Sequence, residues 1–263
     1  MTSSEFFTPN DPRALLILNA AEEVPQIVVG CGGAAPQILS FREIPEEEAL
    51  MERLLPTLDT MLRELGLRLG ELAGLVCVRG PGRFTGLRIV LASALGLSRA
   101  LNLPMAGLEY LPVLALGAEP VLKPGRLFAT VRARRGQIYV HEFQGDGSRW
   151  SPSRPAEVFF SDTFFAMLSL FPGMVNLLGS GLETCDEERW PLCPERFNVL
   201  PQSYNRPSAS ALLRAALEAR YSCDPIEPLY LRLSDAEENL EVIAGARGLD
   251  PGEARLRLAA LRR

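Results

Sequence analysis

Residues 80–90, "GPGRFTGLRIV", decide how the rest of the chain is read. They follow a continuous apolar run, "LAGLVCV" at 72–78, and precede a helical pattern that runs from 85 to 101. A strand, a glycine-rich turn and a helix in that order can receive an anion on the free amides of the helix. The glycine spacing nevertheless matches neither GxGxxG nor GxxxxGK[ST], and no lysine stands where a phosphate loop carries one. Gly80 and Gly82 permit backbone angles or close approaches that a side chain obstructs. Pro81 removes a donor and stiffens the turn, and Thr85 is placed to cap a helix beginning at Gly86. Gly80, Pro81, Gly82, Phe84, Thr85 and Gly86 therefore read as a structural loop, with Arg83 and Arg88 the nearby charges that an anion could meet.

The helix after the loop is unusually lean. Ala92, Gly96 and Ala100 recur every four residues beside Ile89 and Ser93, and so make one face with almost no bulk. A glycine inside a helix costs about 1 kcal/mol relative to alanine. A helix that accepts this cost lets another backbone come close, which is either its own sheet or a second chain. Leu87, Leu91 and Leu95 cover a different side.

Upstream, residues 14–20 ("ALLILNA"), 26–32 ("QIVVGCG") and 36–44 ("PQILSFREI") read as three successive strands in a meander. A dinucleotide fold would place a helix after the first strand instead. Leu50, Leu54, Leu58, Met61, Leu62 and Leu65 then recur at three and four, which predicts a helix over about 46–65. Glu46, Glu47 and Glu48 are expected in its first turn, where carboxylates complement exposed amides; a metal cluster is the alternative use. Pro56 is expected to kink or divide this helix. "LPMAGL" at 103–108 supplies another strand and "EYLPVLALG" a short helix. Downstream come strands in "RLFATVRAR" and "GQIYVHEF", a helix within "PAEVFFSDTFFAMLSLF", a strand in "MVNLLGSG" and a helix in "SASALLRAALEARY" that Ser208 can cap. This order matches, in the first half, an α/β ribonuclease H-like unit whose mixed sheet is flanked by helices, and it permits a second, related domain. The expected domains are 1–116, 117–233 and a C-terminal extension over 234–263 with a last helix near 251–261.

Composition narrows the function. The 263 residues are 47% hydrophobic and 22% charged, as in a globular chain. No unbroken apolar run reaches the length of a membrane span. The N-terminal stretch lacks a basic region ahead of its apolar run, which argues against a secretory signal. The five cysteines are scattered and never form CxxC, as expected of structural thiols in a reducing compartment. His141 is the only histidine, so a triad or relay centred elsewhere has no imidazole, and the strand around it favours a structural role. A net charge of −5 argues against independent nucleic-acid binding. Arg132, Arg134 and Arg135, with Lys123 and Arg126 nearby, are candidate RNA contacts within a larger assembly, or simply a solvated hairpin.

At its loop the chain resembles the TsaB (YeaZ) family of bacterial tRNA-modification proteins. The family segment "GPGSFTGxR" is matched by Gly80, Pro81, Gly82, Phe84, Thr85, Gly86 and Arg88, with Arg83 in place of serine. "VRARRGQIYVHEF" is similar to the family's "DARRGEVY", with Arg132 at the aspartate, and "EPLYLR" is similar to its "PxYLR". The resemblance covers about residues 14–232. It implies an actin-like fold of two ribonuclease H-like domains with mixed sheets flanked by helices, and a role in making N6-threonylcarbamoyladenosine at position 37 of tRNAs that read codons beginning with adenine. It further implies a non-catalytic subunit that pairs with the catalytic paralogue TsaD, joins the TsaE ATPase through the complex, and meets tRNA only there. The pairing surface would be Leu50, Leu54, Leu58, Arg88, Ile89, Ala92, Ser93, Gly96 and Ala100, which could also support a homodimer when the chain is alone. Neither a cofactor nor a metal is expected, and the location would be cytoplasmic. Asn19–Ala20–Ala21 stands where the family often has an aspartate and a hydroxyl. An actin-like small-molecule kinase or an M22-type peptidase is the competing class.

Overall fold

The computed structural model describes residues 11–134, 136–147, 149–184 and 194–232, with a few isolated positions beyond. Three strands, β1 (Ala14–Asn19), β2 (Gln26–Cys31) and β3 (Gln37–Glu43), form an antiparallel meander. Helix α1 (Leu50–Glu64) leads to β4 (Gly74–Gly80), which returns parallel to β1. Helix α2 (Phe84–Leu101) leads to β5 (Met105–Glu109), parallel to β4. The sheet order is β3-β2-β1-β4-β5. Alternation of side chains sorts the strands' residues between two cores. Leu16, Leu18, Val29, Leu75 and Cys77 meet Leu54, Leu58, Met61, Val90 and Ala94 of α1 and α2. Leu15, Ile17, Val28, Val76 and Val78 face the other way. Both faces are covered, which is why β1 and β4 read as unbroken apolar runs.

Three local expectations need correction. The acidic run at 46–48 precedes α1, and only Glu52 lies in its first turn. Pro56 does not divide the helix. It lies on the exposed side, where the Glu52 carbonyl that loses its partner can turn to water. Thr85 is not a cap, because α2 already begins at Phe84 with Arg83 at the cap position and no side-chain capping bond.

The second sheet repeats the first. Strands β6 (Gly125–Arg132) and β7 (Gln137–Gly145) pair antiparallel, and β7 also pairs with β8 (Trp150–Pro152) and β9 (Glu157–Phe160). Helix α4 (Ser161–Leu168) precedes β10 (Val175–Leu178), which runs parallel to both β6 and β11 (Phe197–Val199). Read from its other edge, the order β8-β7-β6-β10-β11 corresponds to that of the first sheet, with β9 as an additional strand on β7. This is an α/β actin-like fold. Helix α3 (Tyr110–Ala118) and helix α5 (Ala209–Leu217) pack on each other. Helix α3 touches β6 of the second sheet and β4 and β5 of the first, whereas α5 lies on β2 and β3. One core therefore contains Leu15, Ile17 and Val28, then Leu111, Leu114, Leu212 and Leu213, then Leu127, Ala129 and Val131. Ser208 caps α5 as expected, accepting from the Ala211 amide.

Both sheets lie within one compact unit, Met1–Leu229; Tyr230–Arg263 form a second unit of which few positions are described. The expected last helix at 251–261 lies outside the described residues except for isolated positions. Cys31, Cys77 and Cys223 are free thiols, and Cys185 and Cys193 also lie outside.

Candidate functional site

The glycine loop closes onto the hairpin between β1 and β2. Gly80 has φ +125°, a region that favours glycine, and a methyl there would lie 2.7 Å from the Leu229 carbonyl oxygen. A methyl at Gly82 would lie 2.7 Å from Cα of Ala21, and one at Gly86 would overlap the carbonyl oxygen of Ala20. The Arg83 amide donates to the Ala21 carbonyl at 2.8 Å. The loop's glycines thus admit the backbone of the β1–β2 hairpin. Asn19 is buried and committed, its Nδ2 donating to Gln26 Oε1 and its Oδ1 accepting from the Ala21 amide. Among the described residues no three His, Cys, Asp or Glu side chains converge to hold a metal ion.

The lean face of α2 points outward. Arg88, Ala92, Gly96 and Ala100 are exposed, Ile89 and Ser93 are half-buried, and a methyl at Gly96 would meet nothing within 4 Å. The contact with the sheet is made instead by Leu87, Val90, Ala94 and Ser98. The backbone approach for which Gly96 makes room is therefore not an approach to the chain's own sheet. By length and composition α2 could also cross a membrane, but Arg88 and Arg99 interrupt it and its buried stripe belongs to the core of this unit.

The α1 side of the expected surface is shifted by a fraction of a turn. Leu54 and Leu58 are each only 2% exposed and belong to the chain's own core, so a partner cannot reach them. Leu50 is half-buried. The apolar residues that α1 offers to solvent are Met51, 74% exposed, and Leu55, 51% exposed. The signal was present in the sequence, since both are apolar at positions beyond the stripe the core requires. Phe84 is also exposed, with the Arg88 guanidinium 3.9 Å above its ring, a stacking that holds Arg88 at the N-terminal end of this surface.

The arginine hairpin divides. Arg132 is half-committed, since its guanidinium meets Glu183 at 2.9 Å and lies 3.9 Å from Glu23. Arg134 is exposed, and Arg135 lies outside the described residues. Arg126 is half-buried, pairs with the buried Glu142 and lies over the Phe171 ring, so its charge is already engaged within the fold. His141 is buried 4.4 Å from the Phe143 ring; burial holds its imidazole below the usual range, against the pull of Glu109.

Sequence reasoning missed a polar cluster where the two sheets meet. Glu22, in the β1–β2 hairpin, accepts from Ser180 Oγ at 2.6 Å, and Tyr110 of α3 lies 3.5 Å away. The Tyr110 hydroxyl donates to the Asn205 carbonyl at 3.1 Å. Asn205 Nδ2 donates to Glu183, which returns the path to Arg132. Burial pushes the Glu22 carboxyl up to about 7, partly offset by the Ser180 hydrogen bond.

A family model described as "TsaD: tRNA N6-adenosine threonylcarbamoyltransferase" matches residues 20–157, just over half of the chain. The tRNA threonylcarbamoyladenosine biosynthesis protein TsaB of Escherichia coli is 27% identical over 208 residues, covering 76% of this chain and 87% of that protein. The Bacillus subtilis protein of the same name is 26% identical over 187 residues, covering 70% and 80%. The solved structure of YeaZ from Pseudomonas aeruginosa is 25% identical with a TM-score of 0.65, covering 83% of this chain and all of that one. With the glycine loop, the repeated sheet order and these relatives in agreement, the chain belongs to the TsaB (YeaZ) family.

Proposed function

We propose that the chain acts in the synthesis of N6-threonylcarbamoyladenosine at position 37 of tRNAs that read codons beginning with adenine, as a non-catalytic partner of TsaD. The relatives named for this pathway support the setting. One observation carries the partner role: the lean face of α2 and the apolar Met51 and Leu55 of α1 are exposed, while the loop beside them is closed by Ala20 and Ala21. A helix whose backbone can be approached, flanked by large apolar side chains, suits packing against helices of a second protein. TsaE and tRNA are met through that complex, in the cytoplasm, and without TsaD the same face can pair two copies of this chain.

Calorimetric titration of the cognate TsaD into this protein tests the reading. Wild type is expected to bind at micromolar concentration or tighter. Gly96→Leu should weaken binding at least about tenfold, a loss of about 1.4 kcal/mol, with a melting temperature no lower than that of wild type, since the side chain meets open space and the helix gains propensity. Absence of association by wild type, with TsaD fully active by itself, would overturn the proposal.

A further inference from the structure

The cluster where the sheets meet is built so that one proton changes its balance. Three carboxylates, Glu22, Glu23 and Glu183, gather around the single guanidinium of Arg132. From the other elements packed there, α3 contributes the Tyr110 hydroxyl and the 202–206 segment contributes Asn205, with the Arg206 charge acting on Tyr110. Burial keeps Tyr110 protonated, so it is not the group that titrates near neutrality. Ser180 is spent in both directions, giving its proton to Glu22 and accepting the Arg132 amide at 3.1 Å. Glu22 is thus the point through which the hairpin of the first sheet grips the turn that follows β10 in the second.

We propose that Glu22 is a proton-operated latch between the two sheets, closing residues 20–25 onto residues 179–184 when protonated and loosening that contact when ionised. The neutral acid leaves Arg132 to Glu183 and Glu23 and adds no charge to a desolvated place. The carboxylate adds a third negative charge beside one cation, and water entering the contact relieves it. Because the folded carboxyl titrates at about 7 rather than 4.5, the closed contact is fully held below the lower value and is lost as pH rises through the upper one. Ala20 and Ala21 of the same hairpin bear on Gly86 and Gly82, so the latch lies one turn of chain from the start of α2. The inference concerns the free chain and does not rest on the partner reading.

Hydrogen exchange of the free protein at pH 6 and pH 8, corrected for the intrinsic rate of each amide, is the test. Amides of residues 20–24 and 179–184 should lose protection about tenfold, following the neutral fraction of Glu22, while those of β1 and β4 stay unchanged. Glu22→Gln keeps an acceptor for Ser180 without the charge and should remain protected at both pH values. The same loss in wild type and Glu22→Gln, or no loss in wild type, would overturn the latch. Should Glu22→Gln fail to fold, the carbon-13 titration of the Glu22 carboxyl in wild type decides: a midpoint near 7 supports the proposal and one near 4.5 refutes it.

Discussion

A single methyl group separates the two uses that a glycine loop can have. In this chain the loop receives backbone, because the carbonyl of Ala20 and Cα of Ala21 occupy the room that side chains at Gly86 and Gly82 would take. Gly86→Ala is therefore expected to destabilise the fold by about 2 kcal/mol or more, as overpacking against unyielding backbone does. Urea unfolding measures it, and a loss below about 0.5 kcal/mol would show that the hairpin is free to retreat. His141 makes the opposite kind of case. Its ring is buried against Phe143. Burial disfavours the imidazolium, so the unfolded chain takes up this proton at higher pH than the folded chain does. Its share of stability is full above the ordinary histidine range and declines as pH falls below about 6.5. His141→Phe should match or exceed wild-type stability at pH 7 and lose less on acidification to pH 5. The difference between the two pH profiles isolates His141 from Glu22, whose contribution runs the other way.

At the scale of the helix, position within the turn decides what each residue does. Leu54 and Leu58 lie in the core, whereas Met51 and Leu55, one residue away from Leu50 and Leu54, lie in solvent. Leu58→Ala should cost about 2–5 kcal/mol, as buried leucine truncations do, while Leu55→Ala should stay within about 0.5 kcal/mol. Thermal melts of the isolated protein separate them, and equal losses would place Leu55 in the core. Gly96→Ala should stabilise the isolated chain by about 1 kcal/mol, because the added methyl meets only open space and the helix gains propensity. The helices themselves were plain in the sequence, since their apolar periodicity is what the core requires. Their edges were not. Glu46 to Glu48 look like a first turn, yet α1 waits until Leu50, and Thr85 looks like a cap, yet Arg83 holds that position without a capping bond. End signals describe local preferences, and packing of the helix on the sheet sets where it starts.

Across the whole compact unit, the strand order of the first sheet could be read from the pattern of three strands, helix, strand, helix, strand, because each crossover is short and local. The placement of α5 could not, since no local signal says that this helix, formed some 180 residues after β2, will lie on β2 and β3. The Glu22 cluster was hidden for the same reason: Glu22 and Ser180 are 158 residues apart, and only the docking of the two sheets brings them to 2.6 Å. This long-range packing has an energetic consequence. Leu212, Leu213 and Ala216 of α5 share a core with Leu15, Ile17 and Val28 of the first sheet, and α3 joins that core to Leu127 and Ala129 of the second. The inner faces of both sheets are buried in this one core, so the two should unfold as one cooperative step, with the calorimetric enthalpy equal to the van't Hoff enthalpy. A fragment of residues 1–124 retains β1 to β5 and both helices of the outer face but loses α5. It should keep far-ultraviolet circular dichroism, bind a hydrophobic dye and melt without a sharp transition, as chains with exposed apolar faces do. Adding a peptide of residues 205–222 should restore cooperative melting, because it returns the missing cover with its Ser208 cap. A fragment that melts sharply without the peptide would mean that α3 alone closes the first sheet, and α5 would then be an adornment of the core and not one of its walls.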